Sequence, residues 1–442
     1  MRRDHLTFIM ILAVLGCGPP ADSEQPTYGE TMTTADGPAH REHGRDSDDG
    51  RGSYSSDRKA DGACGPFPAY YYQYLDDTAC IKVKPSNGDR SHQCPTDASD
   101  AEVRTPDGRT VHYKPASVQP IVDTQTLGDI VPDDVKMTLI LVRRVHGVPH
   151  YRYLSNGTHN DIIQPWSATK FMAMANGAAG LRAQSTGLVG LNSMVDDIPL
   201  GDLGTVIHNY DEREYTSNAL SAWFHDLGGR DQANQLIHAQ WLNRPLAESF
   251  GGNYGASPAR LGYTIIGREG RVHMVPRKTE LYVNQLSTYT MAEFLKRLVM
   301  HREDEATRMP HLSWTDVDII LNGAPNSIWF SNTTPQGMSS DTAVYIQQAL
   351  NMPELEARTH GHWRIFSKLG HGITSRGAEF VHNAYACLPA VGHDGEIEKD
   401  VGKEFILSFY LNGPTNGAVQ TDTRIAQIYR RLVNRIMDGT IK

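Results

Sequence analysis

Ser167 and Lys170 stand three positions apart in the stretch QPWSATKFMA, where an extended run gives way to a helical pattern. In the first turn of a helix, residues at this spacing share a face. The backbone N–H groups there are unpaired and the helix dipole favours negative charge, so an alkoxide forming on Ser167 is stabilised. Lys170 can take the hydroxyl proton when its surroundings lower its proton affinity. This is the chemistry of a serine nucleophile in acyl transfer. The same spacing also describes a capping serine followed by a surface lysine, so other stretches must decide between the two.

Two such stretches follow in order: YTSNALSAWFHDLGG and, near the end, SKLGHG ahead of two further strand-like runs. With Ser167-x-x-Lys170 they resemble the serine β-lactamase and penicillin-binding (D,D-peptidase) superfamily, closest in layout to class A β-lactamases. That family carries Ser-x-x-Lys, then Ser-x-Asn or Tyr-x-Asn, then Lys-Thr-Gly on a sheet edge. The resemblance covers residues from about 135 to 440. Pro165, and Gly228-Gly229 closing the second helix, fit the same pattern.

The resemblance implies a role for each matching residue. Ser167 is the acylated nucleophile and Lys170 its proton partner. Lys368, Leu369 and Gly370 stand for Lys-Thr-Gly, with Lys368 holding a substrate carboxylate and Gly370 letting the substrate backbone approach. The backbone N–H groups of Ser167 and His371 form the oxyanion hole. Two departures stand out. Leu369 replaces a hydroxyl residue. The second motif reads either as Tyr215-Thr216-Ser217, the preferred register, with Tyr215 as proton shuttle, or as Ser217-Asn218-Ala219. Glu248 and Glu280 are the candidates for a carboxylate that activates the deacylating water.

The elements around these residues follow from periodicity. VKMTLILVRRVHGVPHYRYLSNG reads as a hairpin turning at His146-Gly147, and YTIIGREGRVHMVP as a second turning at Glu269-Gly270. A helical block begins at Ala168; SNALSAWFHDLGG and TMAEFLKRLVMHR are helices within it. Three strands follow in HWRIFSKLG, AEFVHNAYACLP and EFILSFYLNG. The final segment puts Ile425, Ile428, Tyr429, Leu432, Val433 and Ile436 on one face of an amphipathic helix. The expected fold is α/β (α+β): a five-stranded antiparallel sheet flanked by helices, plus a helical subdomain. No G-x-G-x-x-G or G-K-[ST] motif supports phosphate cradling, and no G-x-S-x-G elbow points to an α/β-hydrolase.

The chain has 442 residues, 39% hydrophobic and 21% charged, with a formal net charge of -9, which suits a soluble globular protein with a core and carries no footprint for nucleic acid. Arg2 and Arg3 precede a short apolar run ending in Val14-Leu15-Gly16-Cys17, which resembles a bacterial lipobox. That resemblance implies cleavage before Cys17, a lipid on Cys17, and tethering to a bacterial membrane on its periplasmic or extracellular side. A plain secretory signal is the other reading. The expected organisation is a signal peptide over 1–17, a disordered tether over 18–62, a small cysteine-bearing extension over 63–115, and one β-lactamase/transpeptidase-like domain over 116–442. Cys64, Cys80, Cys94 and Cys387 allow three disulfide pairings.

The expected activity is hydrolysis of β-lactam amides through an acyl-enzyme, with a D,D-carboxypeptidase or esterase as the alternative on the same fold. A catalytically inactive lipoprotein using the cleft for binding is the alternative of another class. The expected partner is a β-lactam or a D-Ala-D-Ala peptide, the expected state a monomer, with no cofactor. His360 and His362 form a His-x-His pair without further ligands at metal spacing.

Overall fold

The structure is a computed structural model; it describes Cys94 and residues 98–277, 281–332, 334–341, 346, 349–350, 361–375, 377–391, 397–413 and 418–442. The expected signal peptide and tether, and Cys17, Cys64, Cys80, Glu280 and His360, lie outside these residues.

The hairpin expected at His146-Gly147 is β2 (Val135–Val145) and β3 (Val148–Ser155). Val145 pairs with Val148, leaving His146 and Gly147 as a two-residue loop with φ of 50° and 78°. Positive φ at both loop residues matches the twist of the flanking strands. The three late strands are β4 (Arg364–Thr374), β5 (Gly377–Val391) and β6 (Ile397–Gly413). The sheet has six strands rather than the expected five, because Val122–Asp123 (β1) adds a short edge. The order is β4-β5-β6-β2-β3-β1, antiparallel except for the parallel β1–β3 pair. Two residues are too few to leave an alternating pattern in sequence.

Period-two alternation along β6 divides the core. Phe405, Leu407, Phe409 and Leu411 face the terminal helix α5 (Ala418–Met437), where Ile425, Ile428, Tyr429, Leu432, Val433 and Ile436 are buried as expected. Ile406 and Tyr410 face the helical block on the other side. At its centre is α1 (Lys170–Gln184), buried on every side from Lys170 to Leu181. Around it lie α2 (Leu200–Asn209), α3 (Ser217–Gly228) and α4 (Thr288–Val299). Among the described residues, no helix is long and apolar enough to cross a membrane.

Of the three cysteine pairings, the structure contains Cys94–Cys387, joining the segment before β1 to the fully buried Cys387 of β5 across 293 positions. Closing so long a loop restricts the unfolded chain strongly, and bonds of this kind contribute about 3 kcal/mol. The double substitution Cys94→Ala, Cys387→Ala is therefore expected to lower the urea midpoint by the equivalent of about 3 kcal/mol. An unchanged midpoint would show that this bond does not stabilise the fold.

Candidate active site

Ser167 lies in a 3-10 turn, Trp166–Thr169, that runs directly into α1. Trp166 ahead of it has a φ of 49°, a left-handed conformation that a bulky residue adopts only under constraint. The constraint is visible on both sides of the ring. The indole Nε1 donates to Glu379 Oε2 at 3.0 Å, and the ring lies flat against Gly372, where an added Cβ would come within 2.1 Å of it. Two residues earlier on the same face of β4, a Cβ on Gly370 would come within 2.5 Å of Pro165 O and Ala168 N. From β5, Asn383 donates from Nδ2 to Ala168 O at 2.9 Å. The turn bearing Ser167 is thus pressed onto β4 and pinned from β5.

Lys170, fully buried at the start of α1, donates from Nζ to Ser217 Oγ at 2.9 Å. Ser217 opens α3, whose cap is the Thr216 side chain accepting from Ala219 N. Lys368 on β4 is equally buried. Its Nζ donates to Tyr210 Oη at 2.5 Å and to Leu369 O at 3.1 Å, and lies 3.8 Å from Asp341 Oδ1. The Tyr210 phenol touches both ammonium groups, with its ring centroid 4.1 Å from Lys368 Nζ and 5.3 Å from Lys170 Nζ. Two buried ammonium groups beside one ring make the locality positive. Its effect reaches His208, fully buried on α2: burial first, then Lys368 and Lys170, hold the imidazole pKa well below its ordinary value.

Beside this cluster opens a cleft of about 490 Å³ whose walls include Trp166, Asn218, Asn253, Tyr254, His371 and Gly372. Ser167 is 1% exposed beneath it. The Tyr254 ring lies over Lys170, 5.5 Å from Nζ, and its hydroxyl is 3.1 Å from Thr169 Oγ1. Asn218 is 4% exposed, and its Oδ1 is buried without a hydrogen-bond partner. Among the described residues, no group of three His, Cys, Asp or Glu side chains could hold a metal ion.

Lys170, Ser217 and Lys368 are therefore drawn together around Tyr210, next to the turn that carries Ser167. Ser217, which belongs to both expected registers of the second motif, meets Lys170 from the first turn of α3. Tyr215 precedes the cap and packs half-buried against the core; burial, then Glu214 and Asp196, raise its phenol pKa. Leu369 offers the cleft only its carbonyl. Its side chain points through the sheet into the core beneath α5, as strand alternation after Lys368 requires. What approaches Gly370 is the protein's own turn, so the glycine positions Ser167 instead of admitting substrate.

Glu248 is not placed as a base. Its Oε1 accepts from Ser287 Oγ at 3.0 Å and from Arg244 Nη2 at 3.1 Å, and Oε2 from Ser287 N at 3.5 Å, which ties its loop to the start of α4. Sequence reasoning missed Tyr210, Tyr254, Asp341 and Asn383. Tyr210 and Tyr254 are left-handed residues, with φ of 56° each, outside any periodic pattern. Asn383 alone had a usable signal, a polar residue paired directly with Lys368 across β4 and β5.

The chain is similar to the TLA-3 extended-spectrum beta-lactamase, at 10% identity and a TM-score of 0.40, over 71% of this chain and 98% of that one. A beta lactamase from Burkholderia vietnamiensis matches at 11% and 0.39, over 70% and 93%. PBP-A matches at 13% and 0.37, over 73% and 99%. No family model and no curated protein matches the chain. The functional reading rests on the side-chain geometry rather than on these likenesses.

Proposed function

We propose that the protein is a serine acyl-transfer enzyme of the penicillin-binding type, acting on a carboxylate-bearing lactam or peptide amide. The observation that carries this reading is the convergence of Lys170, Ser217 and Lys368 beside the turn that holds Ser167. Ser167 Oγ attacks the carbonyl carbon, and its proton passes to Lys170 Nζ, which for this step has first given up its own proton to solvent. The oxyanion is met by the backbone N–H groups of Ser167 and His371. Ser217 relays the proton from Lys170 to the leaving nitrogen as the C–N bond breaks, leaving an ester on Ser167. Lys368 draws the substrate carboxylate to the positive side of the cleft. Asn218 Oδ1, an unmet acceptor in the wall, takes an amide N–H of the substrate.

The release step separates a β-lactamase from a slow peptidase-like site. The side chain over Lys170 is Tyr254, a phenol, and Glu248 is committed to Arg244 and Ser287. Among the described residues, the cleft wall holds no carboxylate to activate water. A fluorescent penicillin is accordingly expected to label the wild type but not Ser167→Ala, and the adduct to persist for hours. Decay within seconds, with turnover of nitrocefin, would assign the protein to the β-lactamases instead. A folded wild type that is neither labelled nor active would sink the acyl-enzyme reading altogether.

A further inference from the structure

Glu379 on β5 pairs with Gly372 on β4, the edge strand of the sheet. Its neighbours Ala378 and Phe380 belong to the core under the terminal helix, while Val381 belongs to the core under the helical block. Alternation therefore puts the Glu379 side chain on the helical-block face, the face on which the turn bearing Ser167 sits. Residues paired across two strands share a face, so Gly372 leaves a gap beside Glu379 where a side chain would otherwise stand. The Trp166 indole fills that gap, too close to Gly372 to admit even a Cβ. Its Nε1–H, the only polar group of the ring, donates to Glu379 Oε2 at 3.0 Å. Glu379 is 1% exposed, and Thr374 Oγ1 donates to its Oε1 at 3.5 Å, so the carboxylate is a fixed acceptor.

This hydrogen bond acts where backbone conformation bears on the chemistry. Trp166 has a φ of 49°, and the peptide that follows it carries the Ser167 N–H, which the acyl-transfer reading assigns to the oxyanion. The other assigned donor belongs to His371, the residue before Gly372. A bulky residue keeps a left-handed conformation only while its surroundings hold it there. Packing on a glycine fills space without fixing direction, whereas a single N–H aimed at a buried carboxylate fixes how the ring lies. Released, Trp166 would return toward negative φ, and the Ser167 N–H would turn with it.

We propose that Glu379 is a positioning residue for acylation: through the Trp166 indole it holds the Ser167 backbone N–H in line with the oxyanion. The inference rests on the acyl-transfer function proposed above. It adds a side chain from β5 that acts through Trp166 and touches no reacting atom.

Stopped-flow labelling of the full chain with a fluorescent penicillin, which separates pre-covalent binding from acylation, tests it. Glu379→Leu is expected to slow acylation roughly tenfold to a hundredfold, the scale of a misaligned oxyanion donor, with pre-covalent affinity and urea midpoint unchanged. Glu379→Gln, whose amide oxygen still accepts from the indole, should keep the wild-type rate. Trp166→Phe keeps a ring on Gly372 and deletes the donor, so it should slow acylation as Glu379→Leu does. The double variant should be no slower than either single one, because both remove the same link. Trp166→Phe also carries the test if Glu379→Leu does not fold. Independently of activity, the indole N–H resonance that Trp166→Phe removes should move in Glu379→Leu. An unmoved resonance would overturn the inference, as would losses that multiply in the double variant or a Glu379→Gln as slow as Glu379→Leu. A labelled wild type with unslowed Glu379→Leu and Trp166→Phe would overturn this inference alone. A folded wild type that is never labelled would overturn the acyl-transfer reading, and the inference with it.

Discussion

Replacing Lys170 by methionine is expected to slow acylation of Ser167 by roughly a thousandfold, about 4 kcal/mol in barrier height, while leaving the protein folded. Lys170 touches three parts of the site at once: Ser217 Oγ by hydrogen bond, and the rings of Tyr210 and Tyr254 by cation–π contact. Methionine keeps much of the volume and removes a charge that is fully buried. Removing that charge also removes its desolvation penalty, so the variant should be no less stable than the wild type. The lost function is specific: without an amine beside the nucleophile, nothing takes the Ser167 proton or passes it to Ser217. Stopped-flow labelling with a fluorescent penicillin measures the rate, and a urea melt measures the stability. A rate within tenfold of wild type would remove Lys170 from the mechanism. A rate loss matched by unfolding would assign Lys170 a structural role only.

Acidification from pH 6.5 to pH 4.5 is expected to cost about 4 kcal/mol of stability, through histidines that the fold keeps neutral. Burial, followed by the charge of Arg230, pushes His225 down to about 3. Burial, followed by Arg308, pushes His301 down to about 4. His208 is shifted in the same direction beside the two site lysines. Both ring nitrogens of His208 and of His225 are buried without hydrogen-bond partners. The folded values lie below the unfolded value of about 6.5, so the unfolded chain binds more protons as pH falls. The stabilisation is therefore complete above about pH 6.5 and is lost progressively toward the folded values. Asp123, held at about 2, and Glu293, also lowered, act at more acidic pH than this window. Urea midpoints at pH 7 and 4.5 give the loss, and His225→Phe should recover about half of the part due to His225 and His301. Phenylalanine suits a ring already packed edge-on against Phe250, with centroids 4.7 Å apart. A midpoint flat from pH 7 to 4.5 would contradict this account.

How much of this was readable beforehand differs between elements and side chains. The hairpin at His146-Gly147 and the amphipathic terminal helix are local in sequence, and both were legible. The helix α3 was also legible, because Gly229 stops it at a φ of 84°. The strand β1 was not, since its two residues acquire meaning only beside β3. Pairing of Cys94 with Cys387 depends on contacts across most of the chain. Within the site, the spacing of Ser167 and Lys170 was visible, whereas Tyr210 and Tyr254 come from irregular loops that the fold carries in. Thr216 is a good helix cap, which makes Ser217 the first helical residue and points it at α1. Alternation along β4 likewise separates Lys368, Gly370 and Gly372 on one face from Leu369 on the other.

The side chain at position 369 faces the terminal helix. Tyr210, the residue that follows α2, accepts at Oη from Lys368 and donates to Leu369 O at 3.4 Å.

The most direct test of the central claim is the mass of the protein after incubation with benzylpenicillin, followed by mapping of the modified peptide. The account predicts a gain equal to one intact penicillin, confined to the tryptic peptide Tyr153–Lys170 and localised to Ser167 by fragmentation. It also predicts no gain in Ser167→Ala. A folded wild type that gains no mass and turns over no lactam, or a gain that maps to another residue or survives Ser167→Ala, would contradict it.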